Sequence, residues 1–183
     1  MKDKLRKKHI GSRRELKTAE KERADLDILD KLKENPDIEG STHIMVYAST
    51  PDEVDTCGLI DFLLDNGKKV YLPVVAGHDI KISRIDTREE LVPGKFGIME
   101  PQSEQWEFVD PDILDVVIVP GVCFTEDGIR LGRGGGYYDR FIKQLSRRTK
   151  VIGICYDMQI EEDIPCYDHD EKVDKIVTDK GGK

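Results

Sequence analysis

This 183-residue chain has only four cysteines, and none stands in a C-x-x-C pair. Histidines are equally few, and His9, His43, His78 and His169 are too scattered to join Cys57, Cys123, Cys155 or Cys166 in a zinc pattern. A zinc module and a disulfide scaffold are therefore excluded. Reduced thiols used mainly for packing are the expectation, in a cytoplasmic protein. No apolar run approaches the ~18 residues that a membrane span needs. The N-terminus is charged and has no apolar core segment, unlike a secretory signal. No internal repeat and no long linker divides the chain, so residues 1–183 are expected to form one domain with a real core.

What the chain has in quantity is charge: 36% Asp, Glu, Lys and Arg, against 38% hydrophobic residues, with a net charge of −8. That balance argues against nucleic acid as the main partner. It is uneven, however. Residues 1–17 carry eight Lys or Arg against two Asp or Glu, so the rest of the chain is more acidic than the total. Such a segment serves as an RNA-binding arm, or as a clamp on an anionic ligand of its own domain. Residues 2–34 read as helical, with Leu5, Leu16, Leu26, Leu29 and Leu32 as a loose apolar stripe and a break expected at Gly11-Ser12. Lys2 and Arg6 are four apart and so share a face.

Beyond that segment, apolar runs alternate with helical patterns. Strands are predicted at Ile44–Ala48, Lys69–Val75, Asp115–Pro120, Lys150–Cys155 and Lys175–Thr178, with a half-exposed, antiparallel one at Asp79–Ile85. Helices are predicted at Thr56–Asn66 and from Tyr137 to about Leu145. Residues 87–111 are richer in proline and irregular. The pattern implies an α/β fold: an open, mostly parallel sheet flanked by helices. Ligands of such sheets sit at the carboxyl ends of the strands. Three segments fall there: Ser49–Glu53, Pro120–Asp139, and Tyr156 with Asp157.

The middle segment is the most informative. Strand, glycine-rich loop and helix form a recipe for holding phosphate, because glycine lets the backbone approach an anion and a helix start offers free N–H groups. Here Gly128, Gly132, Gly134, Gly135 and Gly136 are joined by Arg130, Arg133, Tyr137, Tyr138 and Asp139. No Gly-Lys-Ser/Thr follows, so it is not a P-loop, and the separation of strand from helix is too long for a dinucleotide fingerprint. Asp139 is a candidate magnesium ligand that calls for a second carboxylate, and the tail from Asp168 to Asp174 offers several. Glu53 is a candidate partner for the amidine-like N–H groups of a pterin or purine edge.

At these residues the chain resembles the 5-formyltetrahydrofolate cyclo-ligase family. The likeness rests on Lys2 to Arg6, Asp52-Glu53, Gly97 to Pro101, Pro120-Gly121, Phe124, Gly128, the run Arg130 to Arg140, His169-Asp170 and Val173-Asp174. Thr125, Cys123 and Gly97 depart from residues common in relatives. The resemblance implies a Rossmann-like sheet of NagB/RpiA-type topology, with the helical segment 1–34 packed on it. It implies ATP-dependent cyclisation of 5-formyltetrahydrofolate to 5,10-methenyltetrahydrofolate, with ADP and phosphate released. It assigns ATP to Lys2, Arg6 and the loop Arg130, Leu131, Gly132, Arg133, Gly134, Gly135, Gly136, Tyr137 and Tyr138. Folate falls to Ala48, Glu53 and the part of that loop from Arg133 to Tyr137. Magnesium falls to Asp139 and Asp174, with Asp170 as the alternative to Asp174. Arg133 and Tyr137 are the expected catalytic residues, in a monomer needing neither nucleic acid nor membrane. A sugar-phosphate isomerase on a similar sheet and a non-catalytic nucleotide or RNA binder are the competing classes.

Overall fold

The computed structural model describes residues 1–94 and 97–182. Two helices come first, α1 (Lys2–Glu15) and α2 (Thr18–Lys33), then a single turn, α3 (Pro36–Glu39). Next follow β1 (His43–Val46), α4 (Cys57–Asp65), β2 (Lys69–Ala76) and β3 (Asp79–Ile85). A small hairpin pairs β4 (Leu91–Pro93) with β5 (Met99–Pro101). The second half contains β6 (Val116–Pro120), β7 (Cys123–Thr125), β8 (Arg130–Leu131) and α5 (Tyr137–Ile142). It closes with β9 (Lys150–Ile154), β10 (Ile160–Glu161), β11 (Lys175–Thr178) and β12 (Gly181–Gly182).

The main sheet runs β12-β11-β9-β6-β1-β2-β3. From β11 to β2 every pairing is parallel; the edge strands β3 and β12 are antiparallel. Residue alternation distributes each central strand between two cores, because successive side chains leave opposite faces of a strand. Ile44 and Val46 pack with Val116 and Ile118 under α2 and α4, where Ile28, Leu32, Leu59, Ile60 and Leu63 are buried. Met45, Val117 and Val119 face the other way, with Ile80, Ile82 and Phe141 of α5. Each fully buried aliphatic of this kind contributes about 1.5–3 kcal/mol of transfer free energy. The predicted antiparallel strand at 79–85 is β3, whose exposed and buried residues largely alternate.

Three expectations are corrected. The N-terminal helix does not break at Gly11-Ser12; it runs through to Glu15 and ends where Leu16 turns extended (φ −58°, ψ 128°). Leu16 packs on the core from that position, so the break serves an apolar anchor rather than the glycine, whose missing Cβ would meet nothing. The helix after the glycine loop stops at Ile142, and Gln144 and Leu145 close it with tighter turns onto Phe141 and Ile142. The loop before it is not plain coil either, because β7 and β8 form a hairpin there, with β10 paired beside β7. The irregular stretch 87–111 holds 3-10 turns and the β4–β5 hairpin; Lys95 and Phe96 within it, like Lys183 at the end of the expected domain, lie outside the described residues. The cysteines are unpaired, with Cys123 and Cys155 buried.

Candidate active site

The carboxyl ends of β1 and β6 open into a cavity of about 610 Å³, walled by α1 on one side and by the glycine loop on another. Parallel strands place their following loops on one edge of the sheet, which is why segments eighty residues apart meet here. Ala48, Thr50 and Glu53 come from the loop after β1, and Pro120, Gly121 and Val122 from the end of β6. Residues 130 to 139 line the cavity without interruption, and Tyr167, His169 and Asp170 close it.

The basic face of α1 points inward. Arg6 Nε donates to the Gly132 carbonyl at 2.9 Å, and Lys2 Nζ bonds Asp170 at 2.6 Å while lying 4.3 Å above the Tyr167 ring. Gly134 adopts φ +109°, a region that side chains rarely enter, and a Cβ there would lie in ordinary contact with the Arg6 guanidinium, 3.5 Å from its central carbon. The left-handed turn of the loop, rather than a lack of space beside Arg6, is what calls for glycine at position 134. Arg130 is almost fully buried; its two terminal nitrogens donate to Asp139 at 3.0 Å and to the Pro120 carbonyl at 3.3 Å. With α5 only six residues long, the cationic side chains rather than a helix dipole make this region attractive to anions.

Beside Arg13 and Arg133 lies a carboxylate pair. Glu53 is buried; one oxygen accepts the Thr50 N–H at 3.0 Å, and the other accepts Arg133 Nη2 at 3.0 Å. Asp52 accepts Arg13 at 2.7 Å, the Thr50 hydroxyl at 3.0 Å and Arg133 at 3.4 Å. Burial works to raise the Asp52 carboxyl, but Arg13, the Thr50 hydroxyl and Arg133 outweigh it and hold it below the usual carboxylate range. Burial, and then the Glu53 charge, push the Tyr138 phenol well up, so it stays neutral and serves as a surface for Arg130. The Tyr137 ring packs under Gly135 and Arg140, and its hydroxyl has no hydrogen-bond partner among the described residues.

All but one of the expected site residues line this cavity: Lys2, Arg6, Ala48, Glu53, the run Arg130 to Tyr138, and Asp139. Asp174 is the exception. Its carboxylate accepts the Val151 N–H at 2.8 Å and its own N–H donates to the Val151 carbonyl. That puts it at the amino ends of β9 and β11, whereas the cavity lies at the carboxyl ends of the strands. Asp170, the alternative, does line the cavity. Tyr156 and Asp157 are not in its wall; Tyr156 instead supports it, donating to Asp25 at 2.8 Å and to the Glu53 carbonyl at 3.1 Å. Sequence reading missed Arg13 and Tyr167. Arg13 had a legible signal, since residues 2, 6, 9 and 13 follow the spacing of one helix face; Tyr167 had none.

A mostly parallel α/β sheet with a roomy strand-end cavity, lined by cations, glycines and a buried carboxylate, has the architecture of an enzyme whose cavity suits an anionic ligand. Residues 1–179 match the model of the 5-formyltetrahydrofolate cyclo-ligase family, and the chain belongs to that family of ATP-dependent ligases in folate one-carbon metabolism. The Escherichia coli K12 5-formyltetrahydrofolate cyclo-ligase is 34% identical over 139 residues, spanning 74% of this chain and 76% of that one. A probable 5-formyltetrahydrofolate cyclo-ligase of Schizosaccharomyces pombe is 33% identical over 168 residues, with 84% and 82% covered. The solution structure of the Aquifex aeolicus 5,10-methenyltetrahydrofolate synthetase superposes with a TM-score of 0.88 at 36% identity, covering all of this chain and 91% of the other.

Proposed function

We propose that this cavity performs the ATP-dependent conversion of 5-formyltetrahydrofolate to 5,10-methenyltetrahydrofolate with the residues above in defined roles. The observation that carries the assignment of roles is a single cavity lined by Lys2, Arg6, Arg130 and Arg133 together with Glu53 and Ala48, with Arg133 joining the two sets through its 3.0 Å bond to Glu53. A formyl oxygen is a poor leaving group. Transfer of the γ-phosphoryl group of ATP to that oxygen, with ADP departing, makes it a good one. The second folate nitrogen then forms a bond to the formyl carbon, the carbon–oxygen bond breaks, and inorganic phosphate leaves as the nitrogen loses its proton. No covalent nucleophile from the protein is needed. The work is alignment and neutralisation of phosphoryl charge.

In this reading Lys2, Arg6, Arg130 and the loop Leu131 to Tyr138 hold the triphosphate. Glu53 binds the amidine-like edge of the pterin, and Gly134 to Gly136 let the two substrates approach. Arg133, reaching Glu53 from the glycine loop, stands between the substrates and stabilises the transferring group. Tyr137 orients the formyl group. Tyr137→Phe is expected to lower kcat about tenfold, the value of one hydrogen bond, with little change in melting temperature. Undiminished turnover would remove that role.

Magnesium fits this site as a partner of phosphate. Asp139 and Asp170 offer hard oxygen donors in the cavity, and no cluster of three or more ligating side chains exists among the described residues. An ion held by two carboxylates would complete its shell from phosphate and water, as magnesium commonly does. When bound it would supply charge neutralisation at the phosphates. Asp170→Asn is expected to raise the magnesium concentration needed for half-maximal turnover, and Asp174→Asn to leave it unchanged; the reverse pattern would return Asp174 to the metal.

The Rossmann-like, NagB/RpiA-type assignment belongs to the same reading, supported by five parallel strands between antiparallel edges. So does a cytoplasmic monomer without nucleic-acid or membrane partner, of which the net charge of −8 supports the lack of a nucleic-acid partner. The test is the absorbance of the methenyl product on mixing protein, 5-formyltetrahydrofolate, ATP and magnesium, omitting each in turn. Product is expected only with all present. A folded protein that makes none under any condition would overturn the proposal and favour a phosphate-binding isomerase.

A further inference from the structure

We infer that Arg13 is a positioning residue that couples nucleotide binding on α1 to folate binding at Glu53, acting through Asp52 and Arg133. The inference rests on the functional reading above and adds a residue and a coupling to it.

The geometry is a chain of alternating charges. Arg13 is 3% exposed, and only it and His9 are buried on α1. Its Nη2 donates to Asp52 at 2.7 Å, and its Nη1 donates to the Gly121 carbonyl at 3.4 Å, at the end of β6. Asp52 meets Arg133 at 3.4 Å, and Arg133 meets Glu53 at 3.0 Å. Arginine, aspartate, arginine and glutamate thus lead from the helix to the pterin-facing carboxylate. The same helix face carries Lys2 and Arg6, which reach the phosphate wall at Asp170 and Gly132.

Arg13 holds its place without complete satisfaction. Its Nε is buried and has no hydrogen-bond partner among the described residues. A buried guanidinium in that condition costs stability whatever its role, and the bonds made by its fork have to offset that cost. Here the fork joins two loops that belong to different strands. The helix contributes little apolar grip beyond Leu5, so its seating depends on polar contacts: these, and those of Lys8 and His9 with Glu161. A ligand that seats Lys2 and Arg6 therefore seats Arg13 as well, and with it the Asp52 carboxylate that helps orient Arg133 toward Glu53. Thermodynamic linkage makes the effect reciprocal: nucleotide strengthens folate binding by the same factor by which folate strengthens nucleotide binding.

The experiment is calorimetric titration of 5-formyltetrahydrofolate into the full chain, with and without a non-hydrolysable ATP analogue and magnesium. The ratio of the two dissociation constants is the readout. For the unaltered protein a ratio of about 5 or more is expected. In Arg13→Gln and in Asp52→Asn it should fall close to one, although each ligand still binds. Arg13→Lys, which keeps the charge and loses the fork, should lie between. Damage to the fold alone would weaken both ligands and leave the ratio intact, which would overturn the inference, as would a ratio of one in the unaltered protein. Should Arg13→Gln fail to fold, Asp52→Asn decides in the same terms. If the unaltered protein binds neither ligand, the functional reading falls and takes the coupling with it; if both bind independently, only the coupling falls.

Discussion

Glu53→Gln is expected to reduce kcat/KM for 5-formyltetrahydrofolate about a hundredfold while changing the KM for ATP far less. The side chain keeps its size, and the Thr50 N–H at 3.0 Å can still find the amide oxygen. What disappears is the negative charge facing Arg133 and the second acceptor oxygen offered to the pterin edge. Hydrogen bonds to charged groups are worth about 1.5–3 kcal/mol each, and the loss of one or two of them amounts to roughly two orders of magnitude. Arg133 is about half exposed and can turn to solvent or to Asp52, so the folded state is expected to lose little. Steady-state kinetics with each substrate varied separately is the check. An unchanged folate KM and kcat would remove Glu53 from the folate wall.

Gly128→Ala carries the largest expected loss of stability. Gly128 sits at φ +90°, and a Cβ there would lie 2.4 Å from the Val173 carbonyl oxygen. That oxygen is backbone and cannot rotate away. The two segments are also stitched together, since the Val173 N–H donates to the Gly128 carbonyl at 2.9 Å. The φ strain costs about 1–3 kcal/mol, and the forced displacement adds a cost of about 1–3 kcal/mol. A total of about 3 kcal/mol would lower the melting temperature by roughly 6–12 °C in a chain of this length. The displaced segment leads directly from Asp170, so the Lys2–Asp170 wall of the cavity should loosen too, and the KM for ATP should rise. A melting curve superimposable on that of the unaltered protein would contradict this account of the turn.

Several elements are legible in the amino-acid sequence alone. The strands from Ile44, Lys69, Asp115, Lys150 and Lys175 announce themselves because burial on both faces of a parallel sheet demands continuous apolar runs. The alternation at 79–85 marks an edge strand for the converse reason. The pairing of Lys2 with Arg6 and the density of glycine, arginine and tyrosine between residues 130 and 139 mark out the cationic lining of the cavity, since helix periodicity and backbone freedom are local properties. Local periodicity also contained the clue to Arg13, although nothing local names its partner.

The sequence by itself thus determined the fold class, the main strands and the residue types that line the cavity, because each of those follows from the chemistry of neighbours along the chain. Only the tertiary structure brought those residues together in one cavity. It seated Arg13 against Asp52, placed Asp170 rather than Asp174 in the cavity, and moved the helix break from Gly11 to Leu16. Those outcomes depend on strand order, on which end of a strand a loop leaves, and on where an apolar anchor finds the core. Such pairings span more than a hundred residues, as between Lys2 and Asp170, and they are settled by the packing of the whole sheet rather than by any segment of the chain.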